Sequence, residues 1–263
     1  MPFFEYNQTK IHYVDIDKRE DKSVGLPLVF IHGGGSHHFA WAFQLVAFSK
    51  TNRCVAVDLS GHGKSEVAKG EVSIGQGYAC EIAALVNHLN LQDFILVGHS
   101  LGGGVAMSYT LNPEFRSPKA LVLVGSSPDL KLPKVLPGLI IEAVEEIRRR
   151  EHPAFEEYAE KINLQQHRKT MVYVDTIAMQ RDLRACNKFD LSDEIQDITI
   201  PTFAIVGEDD DIITPTTVNN YVKDMPYADI AVVRDSHHVP MVDQPEEFNR
   251  LFRKFITWVQ DNV

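Results

Sequence analysis

Cysteine is scarce in this 263-residue chain: Cys54, Cys80 and Cys186 are odd in number, far apart and in no ligand spacing. That excludes a disulfide framework and a cysteine-built zinc site, and leaves the three as small core residues. No apolar run approaches the ~18 residues of a membrane span, and the N-terminal MPFFEYNQTKIHYVD has no basic stretch leading into an apolar one. A cytoplasmic protein without a membrane partner is expected. Positive charge is also short, with 26 Lys and Arg against 36 Asp and Glu for a net charge of −10. Apart from Arg148-Arg149-Arg150 the basic residues are dispersed, so no nucleic-acid partner is expected. Repeats, low-complexity stretches and Ser/Gly-rich linkers are missing. With 44% apolar residues, the chain reads as a single domain over 1–263.

What is present is a regular alternation. Four β-branched runs, LPLVFI, CVAVD, FILVG and ALVLVG, each lead into a Gly- or Ser-rich turn, with helix-prone sequence after most of them. This predicts an α/β fold with a mostly parallel central sheet flanked by helices. Tyr78, Ile82, Leu85, Val86 and Leu89 recur at helical spacing, as a crossover helix with one buried face requires. Pro128, Pro133 and Pro137 then break the pattern, and two polar helix-prone stretches follow to about residue 188. We read 128–190 as a helical insertion lying over the sheet. Alternation resumes at TFAIVG and DIAVVR, and Phe248, Leu251, Phe252, Phe255 and Val259 define a closing amphipathic helix.

The chemistry concentrates at Gly98-His99-Ser100-Leu101-Gly102, directly after FILV and before a helix-like segment. This is the G-x-S-x-G pattern in its required strand-turn-helix context. The glycines fit a strained turn, where side chains would crowd neighbouring backbone; a plain Gly-rich corner is the weaker explanation. A serine hydroxyl needs an adjacent base, and that base needs a third group to hold its tautomer. Downstream, Ser236-His237-His238-Val239-Pro240 lies after IAVV and before the last helix.

In these segments the chain resembles the α/β-hydrolase family, which ends with a histidine, a short apolar loop and then Pro-Glu-Glu-Phe opening the final helix. The resemblance extends from about Leu26 to Val263. It implies the α/β-hydrolase fold, with Ser100 as nucleophile and His238, rather than His237, as base. The family's acid follows the preceding strand, in Gly207-Glu208-Asp209-Asp210-Asp211. Spacing from Gly207 points to Asp210, which we take as the acid; spacing from Pro215 points to Asp211 instead, and Asp129, after an earlier strand, is a weaker rival. His32-Gly33-Gly34-Gly35 matches the family's oxyanion loop, with the backbone N–H groups of Gly34 and Leu101 as donors; a merely flexible turn is the bland alternative. The segment 128–190 would be the family's lid, with Phe155, Tyr158, Met171, Tyr173 and Met179 facing either the pocket or one another. Arg148 to Arg150 read more readily as a solvated helix face than as a carboxylate site.

No metal or cofactor is expected. His32, His37 and His38 meet no ligand spacing. Gly63-Lys64-Ser65 ends like a phosphate-binding loop but has Asp58 where the first glycine belongs, and Gly33-x-Gly35 is followed by His38 instead of glycine. The resemblance implies hydrolysis of a small-molecule carboxylic ester through an acyl-Ser100 intermediate. A lactonase, a C–C bond hydrolase or a cofactor-free perhydrolase would use the same residues, and a ligand receptor on this fold is a further alternative. The sequence leaves the oligomeric state open.

Overall fold

The computed structural model describes residues 2–131 and 176–263. Phe155, Tyr158, Met171, Tyr173 and Arg148 to Arg150 lie outside them. The described residues form an eight-stranded sheet: β1 (Phe3–Tyr6), β2 (Thr9–Ile16), β3 (Leu28–Ile31), β4 (Cys54–Val57), β5 (Ile95–His99), β6 (Ala120–Val124), β7 (Thr202–Gly207) and β8 (Ala228–Val233). Their order is β1-β2-β4-β3-β5-β6-β7-β8. Strands β4, β3, β5, β6, β7 and β8 run parallel, whereas β1–β2 and β2–β4 are antiparallel.

The six parallel strands are the runs predicted from sequence. The central ones are continuously apolar because both faces are covered. Leu28 and Phe30 face a layer with Trp41, Phe48, Phe248 and Phe252, while Val29 and Ile31 face another with Tyr78, Ile82, Val105 and Tyr109. One layer holds α1 (Ala42–Phe48) and the closing helix; the other holds α2 (Ala79–His88) and α3 (Leu101–Leu111). The other α-helices among the described residues are α4 (Thr176–Cys186), α5 (Pro215–Val222), α6 (Pro240–Asp243) and α7 (Pro245–Asn262). On α7, Phe248, Phe252, Ile256 and Val259 are buried, and Pro245 opens the helix where its missing N–H costs nothing. Cys54 and Cys186 are buried free thiols, and burial pushes each up to about 12.

The hairpin of β1 and β2 turns at Asn7 and Gln8, both with positive φ (47° and 61°), the turn sense that suits twisted antiparallel strands. The chain leaves β6 and returns towards β7 through a closed stem. Asp129 bridges Asp190, the Leu191 N–H donates to the Pro128 carbonyl at 2.9 Å, and Lys131 Nζ contacts Asp190 at 2.6 Å. Among the described residues, no helix is long and apolar enough to cross a membrane.

Candidate active site

Strand β5 passes into α3 through Ser100, whose φ of 51° and ψ of −119° are unfavourable for a residue with a Cβ. The surrounding backbone imposes them. The Ser100 N–H donates to the Val124 carbonyl at 2.9 Å, and Ser126 Oγ donates to the Ser100 carbonyl at 2.7 Å. A methyl group on Gly102 would come within 2.5 Å of the carbonyl oxygens of Ile31 and His32, and one on Gly98 would collide with the Gly102 carbonyl. Both glycines are thus demanded by close packing of strand, turn and helix.

The turn lifts the Ser100 hydroxyl to 3.0 Å from His238 Nε2. On the far side of the ring, His238 Nδ1 lies 2.9 Å from Asp210 Oδ2. Asp210 is fully buried at its side chain, and its second oxygen accepts the Ile212 and Ile213 N–H groups, each at 2.9 Å. With Asp210 accepting a hydrogen bond from Nδ1–H, the lone pair of Nε2 is aimed at the serine. Asp211, one residue on, is exposed. Asp129 sits in the stem beside Lys131 and Asp190. The His237 N–H donates to Asp243.

His99 also reaches this group. Its Nε2 lies 2.8 Å from the His238 carbonyl, so it must donate there, and burial together with neighbouring His238 pushes its pKa down to about 3. The neutral ring packs against the Gly33–Gly35 loop so closely that a methyl on Gly33 would come within 2.6 Å of Nδ1.

That loop follows β3. His32 is fully buried and, through burial and then the proximity of His62, lowered to about 3. Its Nε2 accepts the Leu59 N–H at 3.1 Å, which leaves Nδ1 to donate to the Gly33 carbonyl at 2.8 Å. The Ser36 N–H approaches the same carbonyl at 3.2 Å. Because a peptide unit is planar and trans, fixing the Gly33 C=O also fixes the Gly34 N–H, pointing the opposite way. Leu101 begins α3, and the N–H groups of a helix's first turn have no acceptor inside the helix. Met179 on α4 faces Gly34, its sulfur 3.6 Å from where a Gly34 methyl would sit.

Two buried clusters were not anticipated from the sequence. Asp182 on α4 contacts Gly35, His62 and Tyr78. In the second, Asp58 binds His12 Nδ1 at 2.8 Å, His38 Nδ1 at 2.7 Å, the His38 N–H at 2.7 Å and the Lys64 N–H at 3.0 Å. Sequence reasoning found no carboxylate to accompany His38, yet the fold brings His12, His38 and Asp58 within 4.8 Å of one another. Four N–H donors occupy both oxygens of Asp58, which makes the cluster a hydrogen-bonding hub. Burial raises the Asp58 pKa, but the His12 and His38 hydrogen bonds outweigh it and hold the carboxyl far below its ordinary range.

Residues 28–251 match the sequence profile of the Alpha/beta hydrolase family. A non-heme haloperoxidase of Rhodococcus erythropolis is 27% identical over 242 residues, covering 81% of this chain and 83% of its own. The 3-oxoadipate enol-lactonase 1 of Acinetobacter baylyi is 22% identical over 268 residues, covering 96% and 100%. A solved thermophilic esterase is similar with a TM-score of 0.74 at 27% identity, across 98% of this chain and 97% of its own. A profile match over most of the sequence, on the sheet and turns described above, shows that the chain belongs to the α/β hydrolase family of enzymes.

Proposed function

We propose that the protein hydrolyses a carboxylic ester of a small molecule through an acyl-Ser100 intermediate. The observation that carries this reading is the unbroken hydrogen-bonded series from Asp210 through His238 to a serine on a strained turn at the start of α3. Ser100 Oγ attacks the ester carbon as its proton passes to His238 Nε2. The carbonyl oxygen gains charge and is met by the N–H groups of Gly34 and Leu101, in a site where such donors are each worth on the order of 100- to 1,000-fold in rate. Collapse of the tetrahedral adduct expels the alcohol, which takes the proton from His238. Water then attacks the acyl group with His238 as base, releasing the acid and restoring the serine. In this reading the insertion at 128–190 covers the site and shapes the acyl pocket, with Met179 contributing where it faces Gly34.

A lactone is the second substrate class, since a lactone is a cyclic ester and one relative is named an enol-lactonase. The same residues act, and the alcohol stays tethered to the product. The test is to treat the folded protein with a fluorophosphonate, map the adduct by peptide mass spectrometry, and assay aryl esters against lactones. Labelling at Ser100 that disappears in Ser100→Ala is the expected result. An unlabelled Ser100, or full esterase activity in Ser100→Ala, would sink the proposal.

A further inference from the structure

Three consecutive glycines, Gly33 to Gly35, carry no side chains with which to anchor themselves, and glycine loses more conformational freedom on ordering than any other residue. Whatever aims the Gly34 N–H must therefore act from outside the loop. One anchor is His32 on the Gly33 carbonyl. The other comes from α4, the helix at the far end of the insertion. Asp182 on α4 has a side chain only 1% exposed. Its Oδ2 accepts the Gly35 N–H at 2.7 Å and faces His62 Nε2 at 2.8 Å, while its Oδ1 accepts the Tyr78 hydroxyl at 2.7 Å.

His62 in turn has Nδ1 3.2 Å from the Ser60 carbonyl. Both of its ring nitrogens face acceptors, so the imidazolium is the form that satisfies both. A buried carboxylate held by an imidazolium, a phenol and a main-chain N–H is fixed from three directions, and charge-assisted bonds of this kind are the strong ones.

We propose that Asp182 is a positioning residue for the oxyanion site: it holds the Gly35 N–H while His32 holds the Gly33 carbonyl, so that the peptide units flanking Gly34 are locked and its N–H is aimed at the reacting oxygen. This rests on the hydrolase reading above. It also means that the site is complete only with α4 docked, because the residue that finishes the oxyanion loop belongs to the far end of the insertion. Misplacing a reacting or stabilising group by about 1 Å can cost about 100-fold in rate, which sets the scale of the effect.

The experiment compares Asp182→Ala and Asp182→Asn with the parent protein in 4-nitrophenyl butyrate hydrolysis, with Ser100→Ala alongside. Asp182→Ala is expected to lower kcat about 10- to 100-fold with KM nearly unchanged. The Asn variant, whose amide oxygen can still accept the Gly35 N–H, is expected to recover most of that loss. A folded Ala variant with unchanged kcat, a change confined to KM, or an Asn variant as poor as Ala would overturn the proposal. If the Ala variant does not fold, Tyr78→Phe frees the other carboxylate oxygen and is expected to lower kcat about 3-fold at steady KM, by the same loosening; no change would count against the idea.

Amide hydrogen exchange at Gly35 supplies a readout that needs no turnover. Exchange should quicken in Asp182→Ala and stay slow in Asp182→Asn, and equal protection in both would refute the anchor. Hydrolysis surviving in Ser100→Ala would instead remove the acyl-Ser100 reading, while leaving the exchange result to judge the anchor.

Discussion

The imidazole of His99 donates to the main-chain carbonyl of His238 at 2.8 Å, so the residue preceding Ser100 holds the backbone of the histidine that faces it. Together with His32, His99 is a buried neutral histidine lowered to about 3. An unfolded chain protonates both near pH 6.5, so between about pH 6.5 and 3 the unfolded state binds more protons and stability falls as pH falls. His62 acts in the opposite sense. Burial depresses its pKa, but the charge and hydrogen bond of Asp182 outweigh burial and leave it raised. Its contribution is complete below about pH 6.5 and is lost as pH climbs through the folded value. Urea titrations should find greatest stability near pH 6.5. Between pH 6 and 4.5 the slope should correspond to about two protons in the parent and about one in His99→Asn. A slope indifferent to His99 would refute the assignment.

Asp210 rather than its neighbour meets His238, and the two can be separated in solution. Asp210→Asn should reduce kcat by at least about 100-fold, because the base loses the partner that selects its tautomer. Asp211→Asn and Asp129→Asn should stay within about 2-fold, as substitutions remote from the reacting groups do. Initial rates on an aryl ester under saturating substrate decide the matter, and a large loss in Asp211→Asn would reassign the acid.

Gly102→Ala should destabilise the protein by about 3 kcal/mol or fail to yield folded protein, since the added methyl meets backbone oxygens that have nowhere to move. Gly75→Ala is the control: its nearest neighbour would be Ser108 Oγ at 3.8 Å, ordinary contact, and Tm should hold within about 2 °C. Calorimetry of the pair reads the difference directly.

Replacing Asp58 by alanine should cost about 3–5 kcal/mol, because the donors on His12 and His38 would be left buried without their acceptor. A denaturant midpoint that barely shifts would mean that the hub is dispensable. If the hub serves the fold alone, fluorophosphonate labelling of Ser100 in the surviving folded fraction should proceed at the parental rate.

The parts legible in the sequence share a physical cause. Strands β3 to β7 announce themselves because burial on both faces leaves runs such as CVAVD and ALVLVG no polar alternative, and Ser100 is marked by glycines that packing makes obligatory. The β1–β2 hairpin left no such trace: one face is wet, the apolar residues are interleaved with charge, and its turn is Asn7-Gln8 instead of a glycine pair. Two counts disagree in the sequence, the one from Gly207 favouring Asp210 over Asp211; in the structure Asp210 is buried against His238 and Asp211 is exposed. Asp182 was beyond reach for another reason. In a polar helix of sequence TIAMQRDLRAC, an aspartate reads as surface, and only the arrival of Tyr78, His62 and Gly35 from distant segments makes it buried.

The stem at the end of β6 bears on how such a protein can change. Asp129 and Asp190 lie side by side, and Lys131 and the Leu191 N–H fasten the junction, so the intervening stretch departs and returns through the same doorway. Evolution or an engineer can lengthen, shorten or transplant what hangs beyond that doorway without redrawing the sheet. Asp182 travels with that segment, so any transplant has to bring back a carboxylate, or a substitute acceptor, for the N–H of Gly35.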